Sequence, residues 1–227
     1  MASYNDRMEE GLGLRERKKR ETRRRISDIA TALFVERGFD NVTVAEIARA
    51  ADVSVNTVFN YFRTKEDLFL DRQEDVVRTL SRAVRERGPG ETAVEAIRRD
   101  FLDALDTRHW RFGFNDGAEV FIRVIDASPS LQRRARALAD EQERDLAATL
   151  AAETGADPED LTPLLVAAQI CAVVRVLADD FRRRRGAGET AEEIIPGLRE
   201  RAGRAFRAIE SGIGPYARRE PPATPRA

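Results

Sequence analysis

Asn56 and Asn60 stand four residues apart in the stretch SVNTVFNYF, residues 54–62, and the clearest chemistry in this chain begins with them. If the stretch is helical with Val58 and Phe62 turned inward, a rotation of about 100° per residue brings both amides onto the opposite face, with Thr57 and Phe59 on its flanks. That outward face carries no acidic residue. An Asn amide can pair in bidentate fashion with adenine, a hydroxyl can bind a phosphate or a base, and a bare Phe can press on a thymine methyl. Two polar side chains on one helix are more often an ordinary solvated face, so the neighbouring residues must decide. Arg15–Arg25 holds eight basic and two acidic residues, a net charge of plus six; it is either a solvated arm or a supply of phosphate contacts. Thr43 and Lys65, each at the start of a further helical segment, add an amide-rich terminus and a cation that can grip a nucleic-acid backbone.

The elements that position these residues follow from apolar spacing. Ile26, Ile29, Ala30, Leu33 and Phe34 form the stripe of a first helix, with Gly38 expected to end it as a left-handed cap. Thr43 with Glu46 three residues on is a capping box, opening a two-turn helix that buries Val44, Ile47, Ala48 and Ala51. Ser54 caps a third helix facing inward through Val55, Val58 and Phe62. Thr64 with Asp67 opens a fourth, expected to run roughly from Lys65 to Glu86, where Gly88, Pro89 and Gly90 stop it. Two short helices joined by a tight turn, 44–51 and 55–62, have the dimensions of a helix-turn-helix, whose second helix enters the major groove.

The remaining chain excludes more than it specifies. With 39 basic and 40 acidic side chains among 227 residues, whole-protein charge names no partner, and 42% hydrophobic content is too high for a disordered chain. One Cys precludes an internal disulfide framework, and one His precludes a His-rich metal site. There is no G-x-S-x-G elbow, P-loop or H-E-x-x-H helix, so neither an enzyme, a cofactor nor a metal is expected. The start lacks a secretory apolar stretch. The most apolar run, 161–178, is broken by Pro163, Gln169 and Arg175 and predicts no membrane span. A cytoplasmic, all-α protein is expected, with further helices near 91–106, 116–127, 130–153, 159–185 and 189–211. The final pair is expected to pack as an antiparallel hairpin, burying Leu164, Leu165, Ala168, Cys171 and Ala172 on one helix and Ile194, Leu198, Ala202, Ala205, Phe206 and Ile209 on the other. The ends, 1–14 and the Pro-rich 213–227, are expected to be disordered.

From Ile26 to Leu68, about a fifth of the chain, the sequence resembles the TetR family of bacterial transcription regulators. The resemblance rests on Ala32, Leu33 and Phe34 before Gly38 and Phe39, on Thr43 to Ala48, and on Ser54, Thr57, Tyr61, Phe62, Lys65 and Leu68. It implies a homodimer with a three-helix DNA-binding domain at 15–70 and a larger helical ligand-binding and dimerisation domain at 71–212. It implies base or groove contact for Val55, Asn56, Phe59 and Asn60, and phosphate contact for Thr43, Thr57, Tyr61 and Lys65. Phe59 departs from a usual Tyr and loses a hydroxyl, and Asp52 stands in the turn where Gly is frequent.

Beyond residue 72 the effector is written in no motif. Phe101, Trp110, Phe114 and Phe121 fall in one aromatic-rich segment that suits either an apolar pocket or plain core. Arg175 interrupts the apolar run 170–178 and is read as buried, where a guanidinium requires an anionic partner; it either pairs with Asp179 or meets an anionic group of an effector. The expected function is a repressor that binds a near-palindromic double-stranded DNA operator as a homodimer, through the last two long helices, and is released by a small, largely apolar effector. The alternatives are a transcriptional activator and a helical-bundle protein whose helix-turn-helix meets another protein.

Overall fold

Apolar spacing of the helical period becomes helices in the computed structural model, which describes residues 13–213 and 216–219 and, among them, contains no strand. In chain order these are α1 (Leu14–Arg37), α2 (Val44–Ala50), α3 (Val55–Tyr61), α4 (Lys65–Phe69), α5 (Gln73–Val77), α6 (Thr79–Arg85) and α7 (Ala93–Asp106). A 3-10 turn (Trp110–Phe112) precedes α8 (Ala118–Asp126), α9 (Pro129–Thr154), α10 (Thr162–Gly186) and α11 (Ala191–Ile213). Two compact units result: Met1–Asp71 with Val124–Gln132, and Arg72–Arg123 with Arg133–Ala227. The loose end expected over 1–14 lies outside the described residues except for Gly13 and Leu14, where α1 already begins.

In the first unit, Ile26, Ala30 and Phe34 of α1 are fully buried with Ile47 of α2 and Val58 of α3. Phe34 meets Phe39 at 4.7 Å and Phe69 at 5.8 Å between ring centroids, the second edge to face, a geometry worth about 0.5–1.5 kcal/mol per pair beyond area burial. Gly38 ends α1 with φ +82° and ψ 145°, an extended conformation at positive φ and not the left-handed helical cap expected. Glycine is needed there, because a Cβ would also lie 3.3 Å from the Asn41 side-chain nitrogen. The 124–132 segment is tied in by Ser128, whose buried hydroxyl donates to Asp40 at 3.0 Å.

The single helix expected over 65–86 is three helices, α4, α5 and α6. Leu68, Phe69 and Leu70 are all buried. Three successive residues sweep about 200° of a helix, more than one buried face can hold, so the backbone leaves helical geometry at Leu70, with ψ 36°.

The second unit is organised by the expected α10–α11 hairpin, which turns at Gly188 with φ +94°. On α11, Ile194, Leu198, Ala202, Phe206 and Ile209 are buried as anticipated. On α10 the inward stripe is a different one: Val166, Ile170, Val174, Leu177 and Phe181 are buried, whereas Leu164 and Leu165 are 50% and 60% exposed. Phe101 of α7 sits at the centre, its ring centroid 5.2 Å from both Phe112 and Phe114 and 5.8 Å from Phe206. The charged side of α9 packs through polar rungs about one turn apart. Gln142 donates to the Val76 carbonyl, Asp145 accepts from Ser81, Thr149 meets Arg85, and Glu153 pairs with buried Arg87.

Residues 216–219, expected in a disordered tail, are pinned instead. The Arg219 carbonyl accepts from Gly90 N, its own N–H donates to the Glu91 carbonyl, and its guanidinium donates to the carbonyls of Arg85 and Arg87. The bond to Arg85 satisfies an acceptor that the C-terminus of α6 leaves open. The tail beyond 219 lies outside the described residues.

Replacing Phe101 by Ala removes the ring on which three others converge. The expected loss is about 3–5 kcal/mol, read as a lowered midpoint in denaturant unfolding of the full chain.

Candidate nucleic-acid interface

The interface is built on the α2–α3 turn. Asp52 has φ +52°, the left-handed region, while its N–H donates to the Arg49 carbonyl and that of Val53 donates to the Ala48 carbonyl. This paired pattern is a Schellman cap. An ordinary side chain at such a φ costs about 1–2 kcal/mol, and Asp is among the better tolerated because it can hydrogen-bond locally.

Beyond the turn, the Ser54 hydroxyl accepts from Thr57 N at 3.0 Å and caps α3. Val58 and Phe62 are buried, so the seven residues of α3 can turn only one way. Asn56 and Asn60 are exposed, as are Val55 and Phe59 at 38% and 50%. Val55, expected to face inward with Val58 and Phe62, stands on the outward side because it lies about 60° round the helix from Val58, at the edge of the buried side nearest Phe59. The four exposed residues at i, i+1, i+4 and i+5 make one outward face, an apolar strip of Val55 and Phe59 beside a strip of two amides. Thr57 and Tyr61 are half-buried on its flank, and the Thr57 hydroxyl shares a 2.8 Å hydrogen bond with Ser54.

Other expected contacts have structural occupations. The Thr43 hydroxyl donates to Glu46 at 2.8 Å and accepts from Glu46 N, completing the capping box of α2. Thr43 itself is exposed. Lys65 donates from Nζ to the Phe39 carbonyl at 2.6 Å and lies 4.3 Å from the centroid of the Phe39 ring. Burial lowers its pKa, against the pull of Asp40, Glu66 and Glu46. The structure thus shows Lys65 tying the loop after α1 to α4.

Arg23, one cation of the Arg15–Arg25 run, is not distinguished by sequence. It stacks 4.6 Å from the Phe62 ring centroid, pairs with Asp71 at 2.7 Å and donates to the Tyr61 carbonyl at the end of α3. Its place between Thr22 and Ile26 gives no separate signal. Nearer the N-terminus, Arg15, Lys18, Lys19 and Thr22 of α1 face Thr57, Asn60 and Tyr61 of α3 across an open crevice of about 380 Å³.

The expected effector residues all fall in the second unit but do not form one cavity wall. Phe101 and Phe114 are closed into the core, Trp110 and Phe121 are half-buried, and Arg175 is exposed. The inference that Arg175 is buried fails because it lies on the outward side of α10, and Asp179 pairs with Arg182 instead. Arg72 stacks 5.0 Å from the Trp110 ring, and His109 accepts from Arg111 N, closing the 3-10 turn. An open cavity of about 500 Å³ in this unit is lined by Gly90, Glu91, Glu95, Arg98, Arg99 and Leu102, none of them an expected effector residue. Burial pushes the Cys171 thiol up to about 12. Among the described residues, no group of three or more His, Cys, Asp or Glu side chains could hold a metal, and no helix is long and apolar enough to cross a membrane.

Comparison with known proteins agrees with this geometry. Residues 26–71 match the bacterial regulatory proteins of the tetR family. The transcriptional regulator TcmR of Streptomyces glaucescens is 31% identical over 175 residues, spanning 75% of this chain and 77% of TcmR. A TetR-family regulator from Streptomyces coelicolor A3 shares the fold with a TM-score of 0.54 at 23% identity, covering 84% of this chain and 94% of its own. NalD of Pseudomonas aeruginosa, the secondary repressor of the MexAB-OprM multidrug efflux pump, does so with a TM-score of 0.52 at 18% identity, over 83% and 97%.

The Glu46 carboxylate is held down to about 2, first by the Thr43 backbone N–H and then by Arg37 and the Thr43 hydroxyl. A depressed carboxylate contributes fully above its unfolded pKa, and the contribution is lost as pH falls through the folded value. The cap of α2 is therefore expected to persist at pH 4 and to fail near pH 2, read as the carboxyl titration of Glu46 by NMR. A midpoint near 4.5 would contradict the capping geometry.

Proposed function

The chain belongs to the TetR family of bacterial regulatory proteins, and from that membership we propose that it is a ligand-responsive repressor that binds a near-palindromic operator as a homodimer. The observation that carries this reading is the outward face of α3. Asn56 and Asn60 supply donors and acceptors matched to adenine edges, and Val55 and Phe59 supply apolar contact for thymine methyls. Phe59 reads without a hydroxyl. Tyr61 and the half-buried Thr57 lie where a phosphate backbone passes, and Thr43 contributes from the exposed start of α2. Lys65 acts indirectly, by holding α4 against the loop at Phe39.

Dimerisation is supported by the second apolar side of α10. Leu161, just before α10, and Leu164, Leu165 and Val176 on it are each at least half exposed in the single chain, large apolar side chains in water of the kind that a protein interface covers. Two copies joined there with α11 would carry two recognition helices, and two-fold symmetry sets half-sites about 34–36 Å apart. Effector recognition is assigned to the second unit, with Trp110 and Phe121 as its half-buried aromatic edge; Phe101 and Phe114 support it from the core. The protein acts in the cytoplasm as a regulator and not as an enzyme.

Selection of bound sites from random duplex DNA tests this reading. The selected site is expected to be a near-palindrome, and Asn60→Ala or Asn56→Ala is expected to cost about 1–3 kcal/mol at it while sparing binding to unrelated duplex. Leu165→Glu should shift the protein to monomer in sedimentation and weaken the palindrome far more than a half-site. Failure to retain any duplex would refute the reading, and binding indifferent to salt would favour a protein partner for the same face.

A further inference from the structure

The basic run of α1 is not one arm: seven of its eight cations fall into three sets sorted by the helix, and the eighth, Arg25, is exposed beside them. At about 100° per residue, Arg15, Lys18, Lys19 and Thr22 continue the stripe that Ile26, Ile29, Ala30 and Leu33 form farther along α1. Ile26 and Ala30 on that stripe are fully buried. Toward the N-terminus the same side of the helix changes from apolar to cationic, and there it faces Thr57, Asn60 and Tyr61 across the open crevice. Arg17, Arg20 and Arg24 lie on the opposite side, with Arg24 3.7 Å from Asp28. Arg23 is held against Phe62, Asp71 and the Tyr61 carbonyl.

Three cations line the crevice, and no carboxylate does. Its other wall offers two hydroxyls and an amide, neutral groups that can each donate to an oxyanion. Of the three Lys in a chain with 39 basic residues, two stand here, and the compact ammonium of Lys binds phosphate as a point charge. Asn60 borders both this crevice and the outward face of α3, so an anion seated here lies beside the base edges that Asn60 would read.

We propose that the crevice between the start of α1 and the end of α3 seats backbone phosphates of the DNA strand that α3 reads, and that Arg15, Lys18 and Lys19 alone in the basic run make these contacts. The proposal rests on the DNA-binding reading above and assigns residues which that reading leaves open. Arg17, Arg20 and Arg24 remain in solvent, and Arg23 serves as a positioning residue for α3.

Two triple variants of the full-length protein of equal charge test it. Arg15→Gln, Lys18→Gln and Lys19→Gln change the crevice; Arg17→Gln, Arg20→Gln and Arg24→Gln change the opposite side. Gln keeps helix propensity, and circular dichroism checks that α1 is retained. The readout is the slope of log affinity against log salt on the selected duplex. Each phosphate that is no longer neutralised should lower the slope by about 0.9, so over a fourfold rise in salt the affinity of the crevice variant should fall about 40-fold less than that of the parent. Its base preference should be unchanged, and the opposite-side variant should keep the parental slope. Equal slopes for the two variants would overturn the proposal in favour of a diffuse cationic arm, and so would a crevice variant with the parental slope. If the parent itself retained no duplex, the DNA-binding reading would fall, and this inference with it.

Discussion

Two buried side chains one turn apart, Val58 and Phe62, decide what this protein shows to the outside. A helix of seven residues is too short to be stable alone in water, so α3 exists because those two side chains are captured by the core and because its ends are tied. Ser54 holds the start, and Arg23 holds the finish from a different helix by stacking on Phe62 and donating to the Tyr61 carbonyl. With the inward direction fixed, the outward residues have no freedom of choice. The rest of the first unit serves this orientation: the Phe34, Phe39 and Phe69 rings give the helices a common floor, and the Asp52 turn sets the angle at which α3 leaves α2.

The second unit rests on a related constraint, with a different outcome. Helix α10 is apolar on two sides. One is consumed by α11 and the Phe101 cluster; the other, with Leu165 and Val176 and with Leu161 just before the helix, is more than half exposed and lies outside the core cluster. On α9 the charged side is engaged, through rungs to Ser81, Arg85 and Arg87. Polarity therefore does not predict which surfaces of this unit are covered.

What can be read from the sequence divides along the same line. Local signals are legible: the capping boxes at Thr43 and Thr64 lie in T-x-x-E and T-x-x-D, and α8 and α9 begin and end within two residues of their expected limits. The face of α3 is legible because its only large apolar residues on one side are Val58 and Phe62. Features that depend on a distant partner are not. Periodicity orders the stripes of α10 relative to each other but cannot say which one meets α11, so it turns Leu164 and Leu165 inward and buries Arg175, where the fold leaves all three outside. The break at Leu70 requires three consecutive apolar residues to be read as competing demands and not as one long helix. Lys65 carries the same charge whether it faces a phosphate or the Phe39 carbonyl, and Phe101 has the same aromatic side chain in a pocket wall or a core.

The opening turns of α1 are already helical while remaining exposed to water. A coil of the same composition would have to surrender about 1–2 kcal/mol of backbone entropy for every residue it ordered on meeting a partner. Here that loss was incurred when the protein folded, so an encounter freezes only side-chain rotamers. Rigidity also removes adaptability: the spacing of these cations is set by helical pitch and cannot stretch to follow a surface of different geometry.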